Sequence, residues 1–402
     1  MSIDWIKAKW WLWNGRRKSR RSDFRTALAY VRRALSVFPE SAYALCFAGY
    51  CLGALEQHDE AFKLFDRSLQ ISPDYAYAHA QLGRHFMYMQ RPQEALDSLN
   101  RAFRIQPKLK KILTYQIVFA KALGVLGRIE HALAEYREAA KLNPKDAEAQ
   151  AGIGWALSEL GNNEDGETAL RAAIKLEPSY AYAYRELLFI LKEQGKLEES
   201  ITIAERLVAL EPENFDAHID LGRALGEVHK FREGILAYER AVELRPESAS
   251  AHYAIGLFHA SLGEYGEAIK SEERAISLEP GTADAYAVMA AALMAQGDYE
   301  RCLHVTEETL KLNPKLEEAW HNMGQAYLET RQFEKATTCF EKVLQLGPGI
   351  PGTHYLLGVA YVKLGNMPAA LEQCQILHAL DSDKEHNLRD EISSANTNTN
   401  PH

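Results

Sequence analysis

Residue types that can do chemistry are plentiful in this chain, but their spacing builds no reactive centre. Cys46 and Cys51 stand five apart on a predicted helix, about 140° around its axis, so they cannot share a metal ion. Cys302, Cys339 and Cys374 complete an odd, scattered set with no CxxC pair, which indicates packing thiols in a reducing compartment rather than a disulfide framework. His79, His218, His252 and His354 recur at one phase of the chain and read as structural histidines rather than metal ligands or acid-base catalysts. Asp381 to Glu391 is acidic but lacks the central glycine of a calcium loop. GxxxxGK[ST], HExxH, GxSxG and a strand-associated GxGxxG are all missing. The expectation is a protein without catalytic residues, cofactor or metal.

A second grouping suits recognition. Trp5, Trp10, Trp11 and Trp13 are four of the six tryptophans, and Arg16, Arg17, Lys18, Arg20 and Arg21 follow at once. One reading is a capping helix whose indoles pack on the next element. The other is a contact for an anionic membrane or acidic partner, with Trp5, Trp10 and Trp13 at headgroup depth and Arg16, Arg17, Arg20 and Arg21 on the anions. A nuclear-localisation or nucleic-acid patch is a weaker reading of the same short basic run. Residues 1–39 carry ten Lys or Arg against Asp4 and Asp23, a balance of +8, so the total of −9 leaves −17 on the rest. A second basic stretch, Arg84 to Arg128, makes the first third positive. Such asymmetry can steer an acidic partner or simply reflect solvated surfaces. No segment approaches the ~20 apolar residues of a membrane span, and the start lacks the apolar run of a secretory signal. A cytoplasmic protein is expected, membrane-associated in the alternative reading.

The elements that position these residues follow a ruler. Pro39, Pro73, Pro107, Pro144, Pro178, Pro212, Pro246, Pro280, Pro314 and Pro348 are 34 residues apart, except for one step of 37. This period belongs to helix-turn-helix arrays. Twenty-four residues before the prolines stand small residues such as Gly49, Gly83, Gly154 and Gly324, with Leu188 the one bulky exception. Twelve before them stand Ala61, Ala95, Gly166, Ala268 and their equivalents, all small. Small residues on successive helices permit close crossing. Gly127, Gly161, Gly195, Gly263, Gly297 and Gly365 mark the turn between the helices of a unit, where a left-handed residue ends the first helix. The prolines end the second.

These residues closely resemble the tetratricopeptide repeat (TPR) family. The best single match is Trp320, Met323-Gly324, Tyr327, Ala336, Phe340 and Pro348, and an eleventh unit follows with Ser382 in place of proline. The resemblance implies an all-α, right-handed superhelical solenoid of about eleven repeats over residues 8–384. It leaves a lead-in at 1–7, a three-residue insertion near 110–112 where the array should loosen, and a polar tail at 385–402 expected to be disordered. It further implies a scaffold that binds proteins or peptides on the concave face, lined by side chains 30, 27, 26, 23 and 19 residues before each proline. Those offsets select Tyr43, Cys46, Phe47, Tyr50, Tyr77, Gln81, Arg84 and Tyr88, then Trp155, Glu159, Tyr182, Arg185, Glu186 and Phe189. Aromatic and arginine side chains are the usual anchors of protein recognition. The asparagine ladder of O-glycosyltransferase repeat arms and the Lys/Asn/Arg clamp for acidic chain termini are not assembled. Nucleic acid is not an expected partner. The alternative function is a membrane-peripheral assembly factor docked through the Trp/Arg-rich start.

Overall fold

The computed structural model describes residues 3–347 and 351–398. Among them every regular element is helical, and the chain divides into two units, residues 1–196 and 197–402. Unit 1 holds α1 (Ile3–Ser19), α2 (Phe24–Val37), α3 (Ala42–Gly53), α4 (His58–Ile71), α5 (Ala76–Tyr88), α6 (Pro92–Ile105), α7 (Leu113–Val125), α8 (Ile129–Leu142), α9 (Ala147–Glu159), α10 (Asn163–Leu176) and α11 (Ala181–Glu193). Unit 2 holds α12 (Leu197–Leu210), α13 (Phe215–Glu227), α14 (Phe231–Leu244), α15 (Ala249–Ser261), α16 (Tyr265–Leu278), α17 (Ala283–Gln296), α18 (Tyr299–Leu312), α19 (Glu317–Glu329), α20 (Phe333–Leu346), α21 (Pro351–Lys363), α22 (Met367–Leu380) and α23 (Ser382–Asn398). The division falls between the two helices of the sixth repeat.

Within each unit a repeat is a helix pair, and its geometry follows from three positions. The turn residue has positive φ in all eleven repeats: glycine in the six foreseen, and Ser22, Glu56, Gln90, His229 and Arg331 in the others. Small residues such as Ala61, Ala95, Ala268 and Ala336 are fully buried on the second helix. The glycine of the first helix exists because a large side chain of the second lies on it. A Cβ at Gly49 would sit 2.7 Å from Phe65, one at Gly83 2.7 Å from Leu99, and one at Gly324 2.7 Å from Phe340. First helices also touch one another, α3 on α5, α5 on α7, α7 on α9 and α9 on α11, so unit 1 presents one face made of them.

Three boundaries read from the sequence are corrected. The lead-in at 1–7 is not separate, because α1 already runs from Ile3 and buries Ala8 against its neighbours. The insertion is ordered rather than loose: Pro107–Lys111 forms a 3-10 turn with Leu109 buried. Lys110 donates to Glu135 at 2.8 Å, and Gln116 donates to the other oxygen of Glu135 at 2.5 Å. The polar tail is helical through Asn398, because Leu388 and Ile392, one turn apart, cover the apolar face of the last repeat; a Cβ at Gly358 would sit 2.3 Å from Leu388. Residues 399–402 of that tail, like 1–2 of the lead-in, lie outside the described residues.

Candidate functional site

Aromatic residues on the first-helix face of unit 1 form a cradle of about 300 Å³. α3 contributes Tyr43, Cys46, Phe47 and Tyr50, and α5 contributes Tyr77 and Gln81. Tyr75, just before α5, and Tyr115 on α7 complete it, and Arg16, Ser19 and Arg20 at the end of α1 form its rim. Gln81 donates to the Tyr115 hydroxyl at 2.9 Å and so locks the two helices' side chains together. The rings are mutually fixed: Phe47 stacks on Tyr50, Tyr43 tilts on Phe47, and Tyr75 tilts on Tyr77. The Arg16 guanidinium lies 5.8 Å from the Tyr43 ring centre and that of Arg84 lies 5.4 Å from Tyr50. Both are cation–π distances.

Electrostatics give this cradle one sign. Among the described residues that line it none is acidic, and two arginines stand at its edge. Burial holds the phenols of Tyr43, Tyr75 and Tyr115 above their ordinary pKa, so they remain neutral O–H groups able to donate. Burial likewise pushes the Cys46 thiol up to about 12 and keeps it an unreactive packing group. A neutral donor set with fixed cations suits an acidic or carboxylate-bearing ligand.

The expected residues divide by position. Tyr43, Phe47, Tyr50, Tyr77 and Gln81 line the cradle together. Arg84 lies over Tyr50 and also borders a neighbouring cavity of about 440 Å³ with Tyr88 and Lys121; Tyr88 itself stacks on His58 and does not line the cradle. Trp155 and Tyr182 line a third cavity of about 420 Å³ with Met87, Val125, Tyr136 and Tyr180. There Trp155 is partly a packing residue, since a Cβ at Gly124 would lie 2.5 Å from its ring. Arg185 and Phe189 do not line that cavity; Glu186, next to Arg185, accepts from Tyr182. Of the amino-terminal set, Arg16 and Arg20 turn inward to the cradle. Trp5 carries Lys9 over its ring at 3.6 Å, while Trp10 and Trp13 face outward and Arg17 lies over Trp13. Arg21 is exposed in the turn after α1.

Tyr75, Tyr115 and Tyr180 were missed by the offset reading. For Tyr75 and Tyr180 a signal was available, since Tyr-Ala-Tyr occurs twice at the same phase, at 75–77 after Pro73 and at 180–182 after Pro178; Tyr115 lies beyond the three-residue insertion and has no such signal. The recurring histidines are structural. His79, His218 and His252 each donate from Nε2 to the carbonyl of the proline six residues earlier, at 2.7, 2.9 and 3.2 Å; His354 instead pairs through Nδ1 with Gln373. Among the described residues no three potential ligands are placed to hold a metal ion, and no helix is long and apolar enough to cross a membrane.

Stacked helix pairs that present an aromatic, basic face define an all-α helical-repeat scaffold for proteins. Family models described as tetratricopeptide repeat match residues 40–108, 117–181, 152–214, 219–288 and 317–350, together more than half of the chain. The chain belongs to the tetratricopeptide repeat family. Its structure is similar to YrrB, a TPR protein with an unusual peptide-binding site, at 22% identity over 46% of this chain and 96% of that one, with a TM-score of 0.43. A TPR protein from Parabacteroides merdae shares 17% identity over 62% and 98%, with a TM-score of 0.46. Cut9 with Hcn1, from the APC/C, gives 15% over 96% and 89%, with a TM-score of 0.47. Likenesses of this degree define neither a ligand nor a partner for this chain. No curated protein matches the sequence.

Proposed function

We propose that this protein is a non-catalytic interaction scaffold that holds an extended, acidic peptide segment of a partner against the first helices of unit 1. The observation that supports this reading is the tyrosine cradle, with Arg16 and Arg20 at its rim and no acidic lining residue. Rings with polar tips give area and hydrogen bonds at small entropic cost, and arginine pairs with carboxylates in two-pronged geometry. The adjoining cavities lined by Tyr88 and Trp155 extend the surface along α5, α7 and α9 for apolar or basic side chains of the same segment, since Glu148 lines both and Asp146 lines the first. The test is fluorescence anisotropy with fluorescein-labelled degenerate decapeptide pools biased to Asp/Glu or to Lys/Arg. Acidic pools should bind, and Arg16→Glu with Arg20→Glu should reduce that binding at least about tenfold. Preference for the basic pools, or indifference to the charge reversal, would overturn the reading.

A further inference from the structure

The basic start of the chain serves two surfaces, and the second lies outside the cradle. α1 buries Ala8 and Gly15 toward the rest of unit 1. On the opposite side Ile6, Trp10, Trp13 and Arg17 follow at steps of four, three and four, which places them in one stripe down the helix. Ile6, Trp10 and Trp13 are 57%, 53% and 58% exposed. Trp10 meets only the edge of Tyr30, at 6.0 Å, among the ring contacts, so most of the stripe faces solvent. Its flank carries Lys9, while Asp4 lies on the far side of the helix and Asp23 is paired with Lys18 at 3.3 Å.

We infer that this face of α1 docks on an anionic lipid surface, with Ile6 and the two indoles at the headgroup boundary and Arg17 and Lys9 on lipid phosphates. Charge selects this occupant. A local balance of +8 on residues 1–39 is complementary to an anionic leaflet, whereas a symmetric contact between two copies would set two such ends against each other. Indoles beside arginines are the side chains that partition to the membrane interface, while phosphate-directed binding of nucleic acid has no use for an exposed Ile-Trp-Trp stripe.

The experiment is co-sedimentation of the full chain with vesicles of phosphatidylcholine alone or equimolar phosphatidylcholine and phosphatidylglycerol. The chain should sediment with the mixed vesicles and stay in solution with phosphatidylcholine, and binding should fall with added salt. Trp10→Ser with Trp13→Ser should remove at least about nine-tenths of the binding, and Arg17→Glu should weaken it about tenfold, with melting temperature unchanged in both. Three results would overturn the inference. One is sedimentation of the Trp10→Ser/Trp13→Ser variant at the level of the unaltered chain. Another is a vesicle-free dimer that these substitutions dissociate. The third is tight binding to single-stranded RNA with the mixed vesicles ignored.

Discussion

The carbonyl of the repeat proline lies just beyond the end of the second helix, and in five repeats a side chain six residues later reaches it. His79, Tyr184, His218, His252 and Trp320 all donate to the carbonyl of their repeat proline, so histidine, tyrosine and tryptophan do the same work at one position. Recurrence of histidine at that phase was legible in the sequence; the acceptor was not. Glu272 is the opposite case, a residue at odds with its surroundings. It occupies the position held elsewhere by Phe65, Leu99, Tyr238 and Phe340, it is fully buried, and neither carboxyl oxygen has a hydrogen-bond partner. Burial raises its pKa to about 9. The folded state therefore keeps a proton that the unfolded chain releases near pH 4.3, so the contribution of this one group to stability is greatest below that pH and declines up to about pH 9, by up to about 1.4 kcal/mol per unit. Glu272→Leu reproduces the Gly83–Leu99 pairing at Gly256 and should raise stability near pH 7 by about 2 kcal/mol or more. It should also flatten the pH dependence, as thermal melts from pH 5 to about pH 9 will show. At the turn, Glu56 holds φ of 62°, so Glu56→Gly should stabilise by about 0.5–1 kcal/mol in urea unfolding.

Elements were read from periodicity, and periodicity reports what repeats. The phase of the prolines fixed where helices end and which small residues meet. Ala268, completely buried on α16, carries the prediction that follows: Ala268→Leu should cost about 1–3 kcal/mol through overpacking, measured by denaturant unfolding. The insertion broke the period, so its sequence suggested a joint; only the three-dimensional placement of Leu109 and the reach of Lys110 to Glu135 make it a staple. Leu109→Ala should therefore open the turn and make Lys108 and Lys111 the first sites of limited trypsin digestion, while in the unaltered chain they should not be cut ahead of other turns. Composition misjudged α23 for a related reason. Two apolar residues, Leu388 and Ile392, suffice to seat a polar helix on an apolar end, and their spacing matters more than their number.

At the scale of the whole molecule, the sequence disclosed family and charge but only half of the site. Tyr43, Phe47, Tyr50 and Tyr77 followed from phase, and Tyr75 was within reach of the repeated Tyr-Ala-Tyr; Tyr115, beyond the insertion, and the inward turn of Arg16 and Arg20 depend on lateral packing of helices, which a one-dimensional reading does not order. Tyr77 separates a binding surface from a packing core, because it is 40% exposed while its ring lines the cavity. Binding and thermal melting of Tyr77→Ala, measured side by side with the acidic decapeptide pool, test the claim most directly. Peptide binding in the cradle predicts a loss of about 2 kcal/mol in binding, near thirtyfold, with no resolvable change in melting temperature. A variant that melts early yet binds the pool as tightly as the unaltered chain would contradict it.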